Sequence, residues 1–255
     1  MNQPREAASP ATRMRLNRFL ARAGVASRRK SDILIQNGAV QVNGTCVREP
    51  GRAIIVDRDR VDIAGRQIVL PDVFEYILLH KPAGCLVTRS DTHGRPTVFD
   101  RVRGLHQGTI AVGRLDWDTT GLLLLTDDGE LAFRLMHPRF EIEKRYKVLV
   151  AGTPTPTALE RLQRGIELDD GMTAPAKLCL QRQMGPGNET QVEICIHEGR
   201  KRQVRRMFET IGHPVKSLAR IGFAGLGLDH LKSGQWRNLR PGELANLFSQ
   251  VGLSP

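Results

Sequence analysis

The stretch GRLDWDTTGLLLLTDDG, residues 113–129, decides the fold. Four consecutive leucines, Leu122–Leu125, form an apolar run too short for a typical helix. Turn signals bound it, so it reads as a strand buried on both faces. Asp127-Asp128-Gly129 closes it as a turn. Upstream, TIAV reads as a strand that opens at Gly113 into a loop. That loop sets Asp116, Asp118 and the pair Thr119-Thr120 at the mouth of the core. An aspartate there ordinarily shapes or caps a turn, and Asp118, Asp127 and Asp128 suit that role. A loop held by a rigid strand is also where a fold presents reactive groups, and Asp116 is the candidate. Four carboxylates in so short a span raise the question of a metal. No histidine lies nearby at ligand spacing, and Asp127-Asp128 fall beyond the strand, so no metal is expected.

Outward from this stretch, strands come in adjacent pairs with helices inserted irregularly. VFEYILLHKPAG reads as a strand ending in a Pro-Gly turn. GELAFRLMHP reads as a helix stopped by Pro138, and EKRYKVLVAG as a strand. TPTALERLQRG is a helix bounded by Pro156 and Gly165. PAKLCLQRQ and TQVEICIHEG are strands, KRQVRRMFETIG and PGELANLFSQVG helices. The order predicts an α+β fold on a mixed, largely antiparallel sheet with flanking helices, not a doubly wound parallel one.

The 255 residues suffice for this domain plus a small one. The net charge of +11 implies a polyanionic partner. The excess is uneven: residues 1–70 hold 13 Lys+Arg against 6 Asp+Glu, the remainder 25 against 21. Cys46, Cys85, Cys179 and Cys195 form no C-x-x-C pair, which argues against a zinc site and for a reducing, cytoplasmic compartment. No apolar run is long enough to cross a bilayer, so no membrane association is expected.

Residues 1–13 read as a disordered polar tail without the apolar segment of a secretory signal. Residues 14–70 read as a separate α/β module. Leu16, Phe19, Leu20 and Ala23 recur at helical spacing up to Gly24. Ser27 is an N-cap for a second helix, with Ile33 and Leu34 expected inward and Gly38 as its stop. Asn43-Gly44 is a hairpin signal, and RVDIAGRQIVL holds one or two further strands. Arg15, Arg18, Arg22, Arg28, Arg29 and Lys30 put six cations within sixteen positions, a pattern suited to RNA phosphates. RLNRFLARAGVASRRKSDILIQNGAVQVNG resembles the RNA-binding module named after the fourth small-subunit ribosomal protein. That resemblance implies docking on a structured RNA stem or stem-loop. Pro71-Asp72 suggests a boundary, with a second domain over 73–255.

Two further clusters stand out in that domain. Five of the seven residues Arg200–Arg206 are basic. On a helix Arg202 and Arg205 share a face and Arg206 lies beside Arg202, while Val204, Met207 and Phe208 turn inward. This reads as a phosphate-binding surface, or as a source of a cation for a buried carboxylate. Tyr146 shares a strand face with Val148 and Val150, as a core ring or as a platform for one extruded base.

In this order, HKPAG, GRLDWDTTGLLLLTDDGELAFRLMHP, EKRYKV and EGRKRQVRRMF resemble the motifs of ribosomal RNA pseudouridine synthases that carry an N-terminal RNA-binding module. TRSDTHGRPTVFDRV resembles the branch acting on large-subunit rRNA. The resemblance implies site-specific isomerisation of uridine to pseudouridine by a monomer, with no cofactor. It implies that Asp116 is the essential carboxylate and that Tyr146 stacks on the flipped-out uracil. Arg205, or secondarily Arg202, is then the cation paired with Asp116. Arg114 would fill the gap left in the RNA helix or contact a phosphate, and Arg202 and Arg206 would add RNA contacts. The alternative is an rRNA-binding or ribosome-assembly protein without catalysis.

Overall fold

A computed structural model describes residues 13–184 and 188–254, with the backbone alone for 179–184. The chain divides into two compact units. Among the described residues, one holds 13–74 with 106–109 and the other 75–105 with 110–184 and 188–254.

In the first unit, β1 (Arg13–Arg15) leads into α1 (Leu16–Arg22) and α2 (Arg28–Gln36). There follow β2 (Val40–Val42), β3 (Thr45–Val47), β4 (Ala53–Ile55), β5 (Val61–Ile63) and β6 (Arg66–Ile68). The sheet order is β3-β2-β5-β6, all antiparallel, and β1 pairs separately with β4. The expected tail over 1–13 falls almost wholly outside the described residues. Its last member, Arg13, is strand, because its backbone pairs opposite Ile55. Asn43 and Gly44 both take positive φ (52° and 78°), as a two-residue hairpin requires, and Ala64-Gly65 repeats this between β5 and β6. Leu16, Phe19 and Leu20 are buried as their spacing predicts. The second helix corrects the expectation. Ser27 caps it, accepting from the Lys30 amide, but Ile35 is the residue buried and Ile33 is exposed. Leu34 packs partly buried against the same core as expected, so Ile35 and Leu34, not Ile33, form the inward side of the helix.

The second unit contains β7 (Tyr76–Lys81), β8 (Ile110–Ala111), β9 (Thr120–Thr126), α3 (Gly129–Met136), β10 (Lys144–Ala151) and α4 (Pro156–Arg164). After these come β11 (Glu167–Leu168), β12 (Gly171–Met172), β13 (Lys177–Met184), β14 (Glu189–Ile196) and α5 (Gln203–Thr210). The unit ends with β15 (Val215–Phe223), β16 (Leu226–Gly227), β17 (Trp236–Asn238) and α6 (Pro241–Gln250). The sheet runs β13-β14-β10-β15-β9-β7-β17, with β8 on β9 and β16 on β15. Its strand pairs are antiparallel except β9 with β15, so the fold is mixed and largely antiparallel.

The leucine run explains the layering. All four side chains are fully buried, and they alternate between two cores. Leu123 and Leu125 face Val148, Leu162, Met207 and Phe208, from β10, α4 and α5. Leu122 and Leu124 face Leu131, Leu135, Leu247 and Phe248, from α3 and α6. One strand thus supports helices on both faces of the sheet. Burying each leucine is worth about 1.5–3 kcal/mol. Asp128 caps α3, accepting from the amides of Glu130 (3.0 Å) and Leu131 (3.1 Å).

Candidate active site

The loop between β8 and β9 carries Arg114, Asp116 and Trp117 onto the wall of a cleft of about 560 Å³. The size suits a nucleotide. The loop is fixed at several points. Gly113 turns it with φ 77°. The Thr119 amide donates to the Asp116 carbonyl (3.1 Å), and the Gly84 amide donates to the Trp117 carbonyl (2.9 Å).

Beneath it lies Lys81, fully buried at the end of β7. Its Nζ donates to the carbonyls of Thr119 (2.8 Å), Pro82 (3.0 Å) and Trp117 (3.5 Å). Burial draws its pKa down, and Cys85, Asp118 and Asp116 oppose that shift. An ammonium is thereby built into the underside of the loop that bears the aspartates.

Tyr146 stands on β10, opposite Ile194 of β14 and Arg220 of β15. It is 9% exposed and both belongs to the core and lines the cleft, so the two readings of this ring meet in one position. Lys144, two residues earlier, also lines the cleft. Its Nζ donates to the carbonyls of Ile142 (2.8 Å) and His197 (3.0 Å). Burial, then the nearby Arg220 charge, pulls it down to about 8. The residues 86–95 contribute the cleft's other margin. There Asp91 accepts from Arg95 Nη2 (2.7 Å) and from the backbone amides of His93 and Arg95 (3.0 Å each). Those bonds hold the carboxyl well below the usual range, the Arg95 guanidinium contributing most.

The arginines differ from the expected arrangement. Arg205 is 8% exposed and pairs through Nη2 with Asp118 (3.0 Å), not with Asp116. Arg202 also stands on Asp118, at 3.7 Å. Among the described residues no cation lies at ion-pair distance from the Asp116 carboxylate. The two-residue step separates them: Asp116 lines the cleft, while Asp118 lies toward α5. Arg202 lies outside the helix. It is the N-cap of α5 in the left-handed region (φ 50°), exposed along the cleft, and does not share a helical face with Arg205. Arg206 pairs with Asp169 and with Asp170 (2.9 Å) at the β11–β12 turn, so its charge is met within the protein. Arg114 is exposed on the cleft wall.

In the first unit, Arg15, Arg28, Arg29 and Lys30 are exposed, and Arg18 and Arg22 half-buried. Arg22 lies 3.9 Å over the Phe74 ring, with Nη2 3.4 Å from the Pro71 carbonyl. It ties the segment after β6 to the module, which is why this unit runs past the expected boundary at Pro71-Asp72.

Sequence reasoning missed Lys81, Lys144 and Arg220. Arg220 lies on β15, a nine-residue strand that KSLARIGF does not announce, because Lys216 and Arg220 interrupt its apolar alternation. The usable signal for Arg220 was a cation at a strand position between Leu218 and Gly222, where alternation asks for an apolar side chain.

The family model described as RNA pseudouridylate synthase matches residues 75–210, and the S4 domain model matches residues 14–67. An RNA pseudouridine synthase of Aquifex aeolicus (strain VF5), itself uncharacterised, is 43% identical over 94% of this chain and 96% of its own. The ribosomal large subunit pseudouridine synthase B of Bacillus subtilis (strain 168) is 45% identical over 91% and 95%. A crystal structure of a pseudouridylate synthase superposes with a TM-score of 0.65 at 32% identity, covering 92% of this chain and 99% of that one. The chain belongs to the RNA pseudouridylate synthase family. It is an enzyme that isomerises uridine to pseudouridine, joined to an S4 domain, and the binding-only alternative is set aside.

Proposed function

We propose that the substrate is ribosomal RNA of the large subunit and that Asp116 is the essential carboxylate. The S4 match and the exposed Arg15, Arg28, Arg29 and Lys30 support docking on a structured RNA. The name of the Bacillus subtilis relative supports the large subunit. The observation that carries the site is the placement of Asp116 and Tyr146 on one cleft, whose wall also bears Arg114, Lys144 and Arg202.

A target uridine leaves its stack and enters this cleft. Its ring packs on Tyr146, and Arg114 and Arg202 meet flanking phosphates or the vacated stack. Breaking the bond from C1′ to N1 builds positive charge at the sugar, which the Asp116 carboxylate offsets. The uracil turns and rejoins through C5, and the phenol of Tyr146 lies near the carbon that gives up its proton. The Asp118–Arg205 pair holds the far end of the loop, and Arg202 adds positive field. No redox step occurs and nothing is lost from the RNA, so the reaction asks for no redox cofactor.

The test compares ribosomal RNA from cells carrying wild type, no gene, or Asp116→Ala. The reading expects one or a few pseudouridines in large-subunit RNA with wild type and none in the other two. Purified Asp116→Ala should bind the same RNA normally. A modified position that persists with Asp116→Ala overturns the assignment of the carboxylate. A modified position confined to small-subunit RNA overturns the substrate.

A further inference from the structure

Arg220 is a cation buried without a counter-ion. It is 2% exposed, on β15 beside Tyr146. Its Nε donates to the Leu122 carbonyl (2.7 Å), and the guanidinium stands 4.9 Å from the centre of the Phe223 ring. Nη2 is buried with no hydrogen-bond partner, and among the described residues no carboxylate pairs with the side chain. Burial of an unpaired charge is unfavourable. The cost shows in a pKa drawn down by burial and only partly restored by the Tyr146 phenol. Such an arrangement persists where a ligand supplies the missing acceptor. Arg220 lines the cleft together with Thr119, whose hydroxyl oxygen is also buried without a partner. Leu122, which accepts from Nε, lies on the strand that follows the Asp116 loop, and Asp116 and Arg220 line the same cleft.

We propose that Arg220 is a catalytic residue: its guanidinium, which lines the cleft, donates a hydrogen bond to a carbonyl oxygen of the uracil and stabilises the negative charge the base acquires on detachment. This rests on the reading of the cleft as the uridine site. When the C1′–N1 bond breaks, its electron pair leaves with N1 and spreads onto O2 and O4. The deficiency at the sugar is relieved through Asp116, by a bond from the carboxylate to C1′ or by loss of a sugar proton to it. Either route leaves the same uracil anion. C5 then bonds C1′, reversing that relief. The C5 proton departs and N1 takes one up, so the product is an isomer. A fixed guanidinium beside the departing base favours the anion over the intact nucleoside, which raises the rate more than the binding.

The experiment uses the full-length enzyme and an rRNA fragment spanning the mapped position, with uridine, 2-thiouridine or 4-thiouridine at the target. Single-turnover rates and half-saturating RNA concentrations are measured for wild type and Arg220→Lys. The proposal expects Arg220→Lys to slow the single-turnover rate on the order of 10²-fold, with half-saturation little changed. One of the two thio substitutions should slow wild type but add little further loss in Arg220→Lys. Equal thio effects in both proteins, or an Arg220→Lys defect confined to half-saturation, overturns it. If Arg220→Lys does not fold, wild type alone decides, and indifference to both thio substitutions overturns the proposal. Asp116→Ala run alongside separates the two readings. Turnover by that variant sinks the cleft assignment itself, whereas its inactivity with additive thio effects sinks only the role of Arg220.

Discussion

Gly121 lies against the backbone of Arg220, where the parallel strands β9 and β15 meet. A Cβ on Gly121 would sit about 2.6 Å from the Arg220 amide nitrogen and closer still to its carbonyl oxygen, and its φ is 111°. Neither strand backbone can yield, because both lie inside the sheet. Gly121→Ala should therefore cost more than the roughly 1–3 kcal/mol of backbone strain alone. A urea melt should show a lower midpoint with an unchanged slope. A wild-type midpoint would mean that the two strands are not so closely apposed.

Lys81 and Thr119 supply the next prediction. The buried ammonium ties the Thr119 carbonyl to β7, and removing it leaves the Thr119 and Pro82 carbonyls without that donor, while Trp117 keeps the Gly84 amide. Lys81→Met is expected to fold less stably and to lower kcat on the order of 10²-fold, since small misplacement of a reacting group has that effect. The KM for RNA should change little, because Lys81 is fully buried and touches no solvent. A variant defective only in KM would place Lys81 in RNA binding instead.

Lys144 gives a pH signature. Its value in the fold is about 8, below the ordinary 10.5. Between those values the unfolded chain still holds the proton that the folded chain has released. Stability from this group therefore rises with pH through roughly 8 to 10.5 and is lower, and flat, below. Chemical denaturation across pH 7–10 should show that rise for wild type and a reduced one for Lys144→Met. Identical profiles would show that Lys144 titrates normally.

Much of this architecture was legible in the residues because local signals agreed with the global fold. The leucine run, the Asp128 cap and the Asn43-Gly44 hairpin each carry their own physics, and the structure follows them. What escaped notice depends on tertiary context. The strand β15 carries a buried arginine, and burial of a charge is decided by partners distant in sequence: Leu122 is 98 positions from Arg220. The pairing of Arg205 with Asp118, not Asp116, differs from the expectation for a similar reason. Asp116 and Asp118 are chemically identical in the sequence, and only the path of the turn says which of them meets α5. The pairing of Arg206 with Asp169 and Asp170, more than thirty positions away, is likewise set by tertiary context.

The exposed cations of the first unit should act on affinity and not on chemistry. Arg28, Arg29 and Lys30 begin α2 side by side, all exposed. Each phosphate contact contributes about 0.7–0.9 to the slope of log affinity against log salt. Changing all three to alanine should flatten that slope by about 2 and weaken binding at physiological salt. The single-turnover rate at saturating RNA should stay at the wild-type value, because none of the three lines the cleft. Filter binding over a salt series, paired with that rate, separates the outcomes. An unchanged slope would make these residues a solvated helix end. A fallen saturating rate would mean that the module positions the target uridine as well as holding the RNA.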